Sequence, residues 1–519
     1  MELLKLEEMT LEQKIGHLIC ARGAINEEDK EFIYEMVRKK ALGGIQGYPG
    51  AIRMELTKKA LEIAEYPILI CSDMETGIGD LRYPSPMGMA SMGNPELAYK
   101  IARATAIKAK SMGINVVWGP VVDFAVKGGL CNGQRCFGNE AEKIAELAIQ
   151  VVKGYTDEGM VCTAKHFVCD STQAPDTHMI KGVSKRTAEE LRNNEMIPYL
   201  RCMKEANLPG IMTTHTLHEN IDDKYINSLS KSCVDLIRKE GFDGLIVTDS
   251  LAMMGIVQDY GLVDCLGLAI AAGNDMVLPN YRLSVKESFD SLMQAYEKGV
   301  FDDERLNDAV RHVLEAEEKA MKKPSMTELD DELKQAIADS WKNSVVGIYK
   351  DGVSPALDKN TKKHFVLVCE NTYPDVDGFN QEVEISAKFG RQNRMKLAEK
   401  LLKEFPGSTY RVLSEWPNMH EGQSVCVETS ESDEVIFFTF ATCGCYLGTD
   451  CLTRRVEALI ESNMYKVSAI VHIGNPFELA KFPEAKRLFN AIAPEAEEHI
   501  IRALKGEFIP TGKLPVNID

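Results

Sequence analysis

Short apolar runs rich in Val, Ile and Leu alternate with longer amphipathic stretches between residues 14 and 279. This alternation is typical of an α/β fold in which crossover helices join parallel strands. The runs that we interpret as strands are KIGHLIC (14–20), LGGIQGY (42–48), PILICSD (67–73), INVVWGPVVD (114–123), VCTAKHF (161–167), GIMTTHT (210–216), GLIVTDS (244–250) and NDMVLP (274–279). Eight such strands separated by helices predict a (β/α)8 barrel of the TIM type.

An open, doubly wound sheet is the main alternative to the barrel. Such a sheet often carries a glycine fingerprint directly after its first strand. The glycine-rich stretch GGIQGYPG (43–50) has neither the spacing G-x-G-x-x-G nor the Lys-Ser/Thr of a phosphate-binding loop. We therefore interpret it as a tight turn, and we favour the barrel.

A second domain is predicted after the barrel. A charged helical segment ends near Pro324, so we place the barrel domain at 1–325, a linker helix at 326–345 and the second domain at 346–519. In the second domain the apolar runs FVLVCE, YRVLSE, EVIFFTF and VSAIVHIG alternate with helical stretches. This pattern predicts a smaller three-layer α/β sandwich of mostly parallel strands.

Charge narrows the range of partners. The 519 residues include 60 basic and 78 acidic side chains, a formal net charge of −18 that repels nucleic acids and anionic membranes. The N-terminal stretch lacks the pattern of a signal peptide, and no apolar run approaches the roughly 20 residues that span a bilayer. We expect a cytoplasmic protein with no nucleic-acid or membrane partner, whose oligomeric state the sequence does not predict.

The fourteen cysteines lie mostly as single residues inside apolar runs, which is typical of buried thiols in a reducing compartment. Cys443, Cys445 and Cys451 form the tightest group. Three sulfurs without a nearby fourth ligand are incomplete for a tetrahedral zinc site. We therefore expect core and loop thiols here.

Titratable side chains end five of the predicted strands, and these are Asp73 and Glu75, Asp123, Lys165 and His166, His215, and Asp249. Catalytic groups of (β/α)8 barrels come from the carboxyl ends of the strands and from the loops that follow. A single charge at such a position is often only a helix cap, as the TDS at Asp249 also allows. Five strands that end in this way favour an active site.

The segment TAKHFVCDSTQAPDTHM (163–179) concentrates titratable groups and has two interpretations, a metal site or a metal-free acid/base loop. Cys162, His166 and Cys169 have a suitable spacing for zinc, but Cys162 lies a strand's length below the rim. Asp176 and His178 are close enough in a loop to form a hydrogen bond. A carboxylate beside a histidine orients the ring and favours its protonated form, which suits a general acid. We favour the metal-free interpretation, without a cofactor.

Several motifs resemble glycoside hydrolase family 3, specifically its β-N-acetylhexosaminidase branch. KHF (165–167) followed by DTH (176–178) resembles the Lys-His-Phe and Asp-Ser-His of that branch. TDSLAM (248–253) resembles the nucleophile motif of the family, DMETG (73–77) a sugar-binding motif, and RCFG (135–138) an Arg-x-Phe-Gly motif. Further similarity through MTTHT, GFDGLIVTD, AGNDMVL and PTGKLPVNI extends it over nearly the whole chain.

The resemblance implies a retaining exo-enzyme that removes terminal β-linked N-acetylglucosamine from small oligosaccharides, such as cell-wall fragments in cell wall recycling. It assigns the nucleophile that forms a covalent glycosyl-enzyme to Asp249, and the acid/base to His178, oriented by Asp176. The residues that it implies as substrate-binding are Asp73, Arg135, Lys165, His166, His215 and Met253. The Pro-Gly-His-Gly of the branch is replaced by Val168–Ser171, and we expect substrate preference to differ there.

Three alternatives remain open at this stage. In a phosphorylase, phosphate instead of water would be the acceptor, and a neutral histidine repels phosphate less than a carboxylate does. A β-glucosidase of the same family would share the motifs but not the acetamido preference. A sugar-binding protein without catalysis would retain the fold.

Overall fold

The computed structural model describes residues 2–48, 51–129, 133–173, 175–369, 381–441 and 451–518. The chain divides into two compact units. The first comprises Met1–Tyr83, Pro95–Val126 and Asn139–Ile337, and the second comprises Pro84–Asn94, Lys127–Gly138 and Ala338–Asp519. A helix, Asp331–Asn343, lies where the linker helix was predicted. The domain limits of 325 and 346 stay a prediction, and no sequence pattern indicates that Pro84–Asn94 and Lys127–Gly138 group with the second unit.

Eight parallel strands of the first unit form one sheet, paired in chain order. They are β1 (Cys20–Ala21), β2 (Gly44–Tyr48), β3 (Leu69–Ser72), β4 (Val116–Val121), β5 (Val161–Phe167), β6 (Gly210–Thr213), β7 (Leu245–Ser250) and β8 (Met276–Leu278). A parallel bridge between Ile19 and Val277 joins the last strand to the first. The sheet is thus a nearly closed barrel, as predicted, and not an open doubly wound sheet.

The prediction for the first strand was partly wrong. Residues Leu11–His17 form a helix, and strand β1 is only two residues long. The Thr10 hydroxyl accepts from the Gln13 backbone N–H, and the Gln13 side chain accepts from the Thr10 N–H. This capping box stabilises a helix in a segment that we had assigned to a strand.

Amphipathic helices surround the barrel strands. In Ala141–Asp157, for example, Ile144, Leu147, Ala148 and Val151 are buried at steps of three and four residues. The helices of the first unit are Leu11–His17, Glu27–Arg38, Ala51–Ile63, Pro95–Ser111, Ala141–Asp157, Ala188–Asn193, Ile197–Ala206, Lys231–Arg238, Met254–Tyr260, Asp264–Ala272, Val285–Glu297 and Asp303–Ala320. Within the described ranges no single helix is both long and apolar enough to cross a membrane, although the bent pair Met254–Tyr260 and Asp264–Ala272 meets those criteria jointly.

The barrel interior is a packed core. Inward-facing residues from successive strands, including Leu69, Val116, Trp118 and Val247, form one buried cluster. The same cluster includes residues of the helix Asp303–Ala320. Because the interior is filled by apolar side chains, polar chemistry is confined to the ends of the strands.

The second unit contains a six-stranded sheet. Its strands are β9 (Val346–Tyr349), β10 (Lys363–Cys369), β11 (Thr409–Ser414), β12 (Glu434–Ala441), β13 (Val467–Gly474) and β14 (Arg487–Ala491), in the order β9-β14-β13-β12-β10-β11. Only the pairing of β9 with β14 is antiparallel. Strands β9 and β14 were not predicted, whereas the mostly parallel sheet was.

Helices cover both faces of this sheet. Phe365 and Leu367 of β10 pack in a cluster with residues of the helices Gln381–Glu404 and Glu497–Leu504. The alternate residue Val366 packs in another cluster with residues of Met419–Ser430 and Arg454–Asn463. The predicted three-layer sandwich is therefore confirmed.

The cysteines within the described part of the chain are free thiols, and most of them are buried. Cys451 is partly buried. Cys443 and Cys445 lie outside the described residues, so the expectation for that group stays a prediction.

Candidate active site

Lys165, near the carboxyl end of β5, is buried between two carboxylates. Its Nζ lies 2.6 Å from Asp73 Oδ1 and 2.9 Å from Glu75 Oε1, both in the segment after β3. Only 2% of the lysine side chain is exposed, whereas 48% of the Asp73 side chain is exposed. The lysine fixes one carboxylate oxygen of Asp73 and leaves the carboxylate accessible to a ligand.

His166 is held by a buried aspartate from the neighbouring strand end. Asp123 Oδ1 accepts from the His166 backbone N–H at 2.7 Å, and Asp123 Oδ2 accepts from His166 Nδ1 at 2.7 Å. These two bonds fix both the backbone and the ring plane of His166. The other ring nitrogen, Nε2, lies 3.7 Å from Asp249 Oδ2.

Asp249, near the carboxyl end of β7, is an ionised and largely buried carboxylate. Burial alone would raise its pKa, but the positive charge of His166 and the hydrogen bond from the Ser250 N–H outweigh this effect. Together with the charge of Lys165 they lower the pKa of Asp249 to about 2. The Ser250 N–H donates to Asp249 Oδ1 at 2.6 Å. A carboxylate that stays ionised in a protected position is suited to nucleophilic attack.

His215, which follows β6, is committed to bonds within the protein. Burial lowers its pKa, so the ring is neutral near pH 7. Its Nε2–H donates to the Ser250 carbonyl oxygen at 2.9 Å, and its Nδ1 accepts from the Ser228 hydroxyl at 2.8 Å. Since both nitrogens are engaged, this geometry supports a positioning role at the nucleophile strand, while the substrate-binding role that the resemblance implies for His215 stays a prediction.

Asp176 and His178 form the predicted pair in the loop after β5. Asp176 is buried, and its Oδ1 accepts from His178 Nδ1 at 2.8 Å and from the His178 backbone N–H at 3.0 Å. Its carbonyl oxygen accepts from the Met179 and Ile180 N–H groups and so closes a turn around the histidine. The His178 ring is partly exposed. A buried carboxylate therefore orients an accessible imidazole, as an acid/base pair requires.

The loop with this pair, described at residues 168–173 and 175–182, is attached to the segment that follows β7. The Thr177 hydroxyl donates to Met253 Sδ at 3.7 Å, and the Gly255 N–H donates to the Thr177 carbonyl at 3.5 Å. Lys181 Nζ lies 2.6 Å from Asp259 Oδ2. These contacts hold His178 and Asp249 on one side of the barrel. Met253 is buried and makes one of these contacts, while its predicted contact with substrate stays a prediction.

The segment Val168–Ser171, where the chain departs from the branch motif, is held by buried polar groups. The Val168 carbonyl accepts from His218 Nε2 at 3.0 Å. Asp170 Oδ1 accepts from the backbone N–H of Thr172 at 2.7 Å. The Ser171 hydroxyl donates to the fully buried Glu195 at 2.7 Å. The replacement of the glycine-containing motif is thus accompanied by side chains that fix the new backbone.

Arg135 is the predicted site residue that the first unit does not contain. It ends a 3-10 helix, Gly133–Arg135, in a segment that groups with the second unit. Its predicted contact with a sugar hydroxyl stays a prediction.

Sequence reasoning missed the part played by Asp123 and overlooked Arg22 altogether. The sequence identifies Asp123 as a charged residue at the end of a strand. Its two hydrogen bonds to His166 depend on the pairing of β4 with β5, which the sequence does not show. Arg22 directly follows β1, and its guanidinium donates to the Ser250 hydroxyl, next to Asp249. Arg22 is, like the other candidates, a charged residue directly after a barrel strand, so the same criterion could have identified it.

A cluster of two aspartates and a histidine, away from these catalytic groups, has a geometry that could bind a metal ion. One ligand atom each of Asp275, Asp308 and His312 lies within 4.8 Å of the others. However, Arg238 and Arg305 already lie 2.7 and 2.6 Å from the Asp275 oxygens. These guanidinium groups supply the positive charge there, so the group is explained as a buried ion-pair network.

The residues on this rim can perform acid/base and nucleophilic chemistry. An ionised carboxylate, a carboxylate-oriented imidazole, and a lysine with an accessible aspartate lie at the carboxyl ends of β7, β5 and β3 of one barrel, or in the segments that follow them. This set fits a polyhydroxylated ligand whose leaving group needs a proton.

Comparisons with known proteins identify the family to which the chain belongs. The model of the glycosyl hydrolase family 3 N-terminal domain matches residues 10–316. A β-hexosaminidase of Nitrosomonas eutropha is 31% identical over 238 residues, which cover 43% of this chain and 68% of that protein. A β-N-acetylglucosaminidase/β-glucosidase of Cellulomonas fimi is 26% identical over 330 residues, 60% of this chain, and the chain spans only 57% of its length.

Two solved structures have the same two-domain fold. A family 3 β-N-acetylglucosaminidase of a Paenibacillus species superposes with a TM-score of 0.80 at 23% identity, covering 98% of this chain and 99% of that chain. A β-glucoside phosphorylase superposes with a TM-score of 0.81 at 20% identity, covering 99% of this chain and 95% of that chain. Since the family model matches more than half of the chain, this protein belongs to glycosyl hydrolase family 3.

Proposed function

We propose that this protein is a retaining exo-β-N-acetylglucosaminidase that hydrolyses terminal β-linked N-acetylglucosamine from small oligosaccharides. One observation carries the proposal. The ionised Asp249 faces His166 on the rim, and the Asp176–His178 pair is tied to the segment that follows Asp249. A nucleophile and a separate acid/base group are the two elements that a double displacement needs.

In the first step Asp249 attacks the anomeric carbon as the bond to the leaving oxygen breaks. His178 donates its proton to that oxygen, so the leaving group departs as a neutral alcohol. The carboxylate becomes an ester of the sugar, and Asp176 stabilises the imidazole in the required orientation.

In the second step the same imidazole, now neutral, removes a proton from water. The water oxygen bonds to the anomeric carbon as the ester bond to Asp249 breaks. The sugar leaves with its original β configuration, because both displacements invert the same centre.

Binding of the sugar would involve the remaining polar groups of the rim. The accessible carboxylate of Asp73 accepts from sugar hydroxyls, while Lys165 and His166 donate to them, and Arg135 adds a further donor in the proposed role. Directional hydrogen bonds of this kind hold the anomeric carbon against the nucleophile. Lys165 and His166 also keep Asp249 ionised, so one set of residues serves both tasks.

The preference for N-acetylglucosamine is supported by the curated relatives, several of which are named β-hexosaminidases. The Cellulomonas fimi relative is named for both N-acetylglucosaminide and glucoside cleavage. We place the reaction in the cytoplasm, on small cell-wall fragments, with phosphate as the alternative acceptor. Fractionation of cells, followed by activity and protein assays, tests the location.

The purified protein should be tested on nitrophenyl β-N-acetylglucosaminide and nitrophenyl β-glucoside, with and without inorganic phosphate. The proposal expects faster turnover of the N-acetylglucosaminide and release of free sugar in phosphate. Asp249→Asn should abolish turnover, whereas Asp290→Asn, at a half-exposed aspartate that pairs with Lys286 on the helix Val285–Glu297, should not. Glycosyl 1-phosphate as the product would establish a phosphorylase instead. Faster turnover of the glucoside would establish a β-glucosidase, and no turnover of either would favour a sugar-binding protein.

A further inference from the structure

A cavity lies in the first unit, on the barrel rim that carries the proposed catalytic groups. Its volume is about 650 Å³, and residues directly after β1, at the start of the helix Ala51–Ile63 and after β8 line it. Strand ends β1 and β8 place it on the same rim as Asp249. None of the predicted sugar-binding residues lines it.

Arg22 joins this cavity to the catalytic strand. Its Nε donates to Gln46 Oε1 at 3.1 Å, and its Nη1 donates to the Ser250 hydroxyl, one residue from Asp249. These two neutral acceptors fix the guanidinium without neutralising its charge. Within the described ranges no carboxylate forms an ion pair with Arg22, which is therefore a fixed cation in contact with the residue after the nucleophile.

Arg53 brings a second guanidinium to the same cavity. The side chain is half-buried, and within the described ranges no carboxylate forms an ion pair with it. Burial, together with the nearby charge of Arg22, lowers the pKa of Arg53. The charge of Asp73 opposes this lowering, but Asp73 already contacts Lys165 at 2.6 Å. Two like charges that are held together in a partly buried cavity suit the binding of an anion.

Two further residues restrict the kind of anion. Tyr281, with 53% of its surface exposed, lines the cavity, and the Arg22 guanidinium lies 6.0 Å from its ring centroid. An exposed aromatic ring at such a position offers a flat apolar surface to a second ring. The third cation of the lining, Lys30, is paired with Glu27 at 3.4 Å. The exposed Glu55 also lines the cavity, so three cations and two carboxylates leave its lining with a net positive charge.

We infer that this cavity binds an oxyanion, a carboxylate or a phosphate, that is carried on the leaving group of the substrate. The ring of the leaving group stacks on Tyr281, and its anionic group receives hydrogen bonds from Arg53 and Arg22. This inference rests on the proposed function, since it assigns acidic leaving groups as the preferred substrates of that glycosidase. The fork of an arginine matches both carboxylate and phosphate, so free phosphate is the other source of the same chemistry.

The test compares kcat/KM for a neutral nitrophenyl β-N-acetylglucosaminide and for its carboxylated nitrophenyl analogue. Arg53→Gln should lower the ratio of acidic to neutral kcat/KM by about tenfold or more, the usual weight of a charge-assisted hydrogen bond. Turnover of the neutral substrate should remain nearly unchanged. Arg53→Lys should retain part of the preference. Arg38→Gln, which removes an exposed arginine from the helix Glu27–Arg38, should leave the ratio as it is.

A second arm varies inorganic phosphate at constant ionic strength with the neutral substrate. If phosphate changes the rate of wild type but not the rate of Arg53→Gln, the cavity is confirmed as an oxyanion site, and free phosphate is the anion that it binds. The inference would be overturned if wild type and Arg53→Gln had the same ratio of acidic to neutral kcat/KM and the same change of rate with phosphate. If the wild type turns over neither substrate, the proposed function fails, and calorimetric titration of wild type and Arg53→Gln with phosphate still tests the cavity.

Discussion

Replacement of His166 by glutamine tests how the nucleophile is kept ionised. His166 Nε2 lies 3.7 Å from Asp249 Oδ2, and among the charges that lower the pKa of Asp249 its charge is the largest. Glutamine preserves polarity and approximate length but removes the positive charge. Burial of Asp249, which alone raises its pKa, then becomes the dominant influence.

The expected size of the effect follows from the geometry. Two unit charges about 4 Å apart interact by about 4 kcal/mol at an effective dielectric constant of about 20. The net lowering of the pKa of Asp249 from 3.8 to about 2 corresponds to roughly 2 to 3 kcal/mol. Because burial opposes this lowering, loss of the His166 charge should raise the pKa of Asp249 by roughly 2 to 3 units.

The assay is the pH dependence of kcat/KM on an aryl glycoside between pH 3 and 8. Asp249 must be ionised to attack, so a higher pKa moves the acid limb of the profile to higher pH, roughly to pH 4 or 5. Samples held at each pH and returned to pH 7 distinguish titration from unfolding. His420→Gln, at an exposed histidine, serves as the control. An acid limb in His166→Gln that coincides with that of wild type would refute this account of the electrostatics.

Three further substitutions test other parts of the structure. Asp176→Ala should lower kcat by roughly 10²-fold or more, because His178 loses the acceptor that orients its ring, and a substrate with a good leaving group should be less affected. Glu195→Gln should loosen the loop around Ser171, which limited proteolysis would detect as faster cleavage in that loop. Asp275→Asn should lower the free energy of unfolding in urea by about 3 to 5 kcal/mol at pH 7, since the partly buried Arg238 and Arg305 lose their buried partner. The pKa of Asp275 is lowered in the folded state, so the wild-type contribution is present above the ordinary carboxyl pKa and is lost as pH falls through the folded-state value. The difference in the free energy of unfolding between wild type and Asp275→Asn should therefore become smaller in acid. A difference that does not change with pH would contradict this explanation.

The apolar pattern predicted most of the fold because barrel strands are buried on both faces. Strand β5 was predicted at both ends, as its run VCTAKHF lies between Gly159 and a polar loop. The first strand was misplaced because a capping box made a helix of an apolar segment, although the Thr-x-x-Gln signal at Thr10 and Gln13 was present. Strand β14 was missed, since its sequence RLFNA contains an arginine and an asparagine.

The candidate site could be predicted only where local sequence carries the information. The Asp176–His178 hydrogen bond joins residues two apart, so spacing alone indicated it. The support of the Val168–Ser171 segment by His218 and Glu195 depends on residues that are distant in sequence, and no local pattern indicates it. Arg53 lies on a helix and becomes relevant only because the fold brings it near Arg22.

The central claim, a covalent glycosyl-enzyme on Asp249, is tested most directly by trapping that intermediate. His178→Ala should form the intermediate from an activated aryl β-N-acetylglucosaminide and then hydrolyse it slowly. Rapid quenching and intact-mass analysis should find one N-acetylhexosamine residue on the protein, and peptide sequencing should place it on Asp249. Continued turnover without this adduct, or an adduct on another residue, would contradict the account.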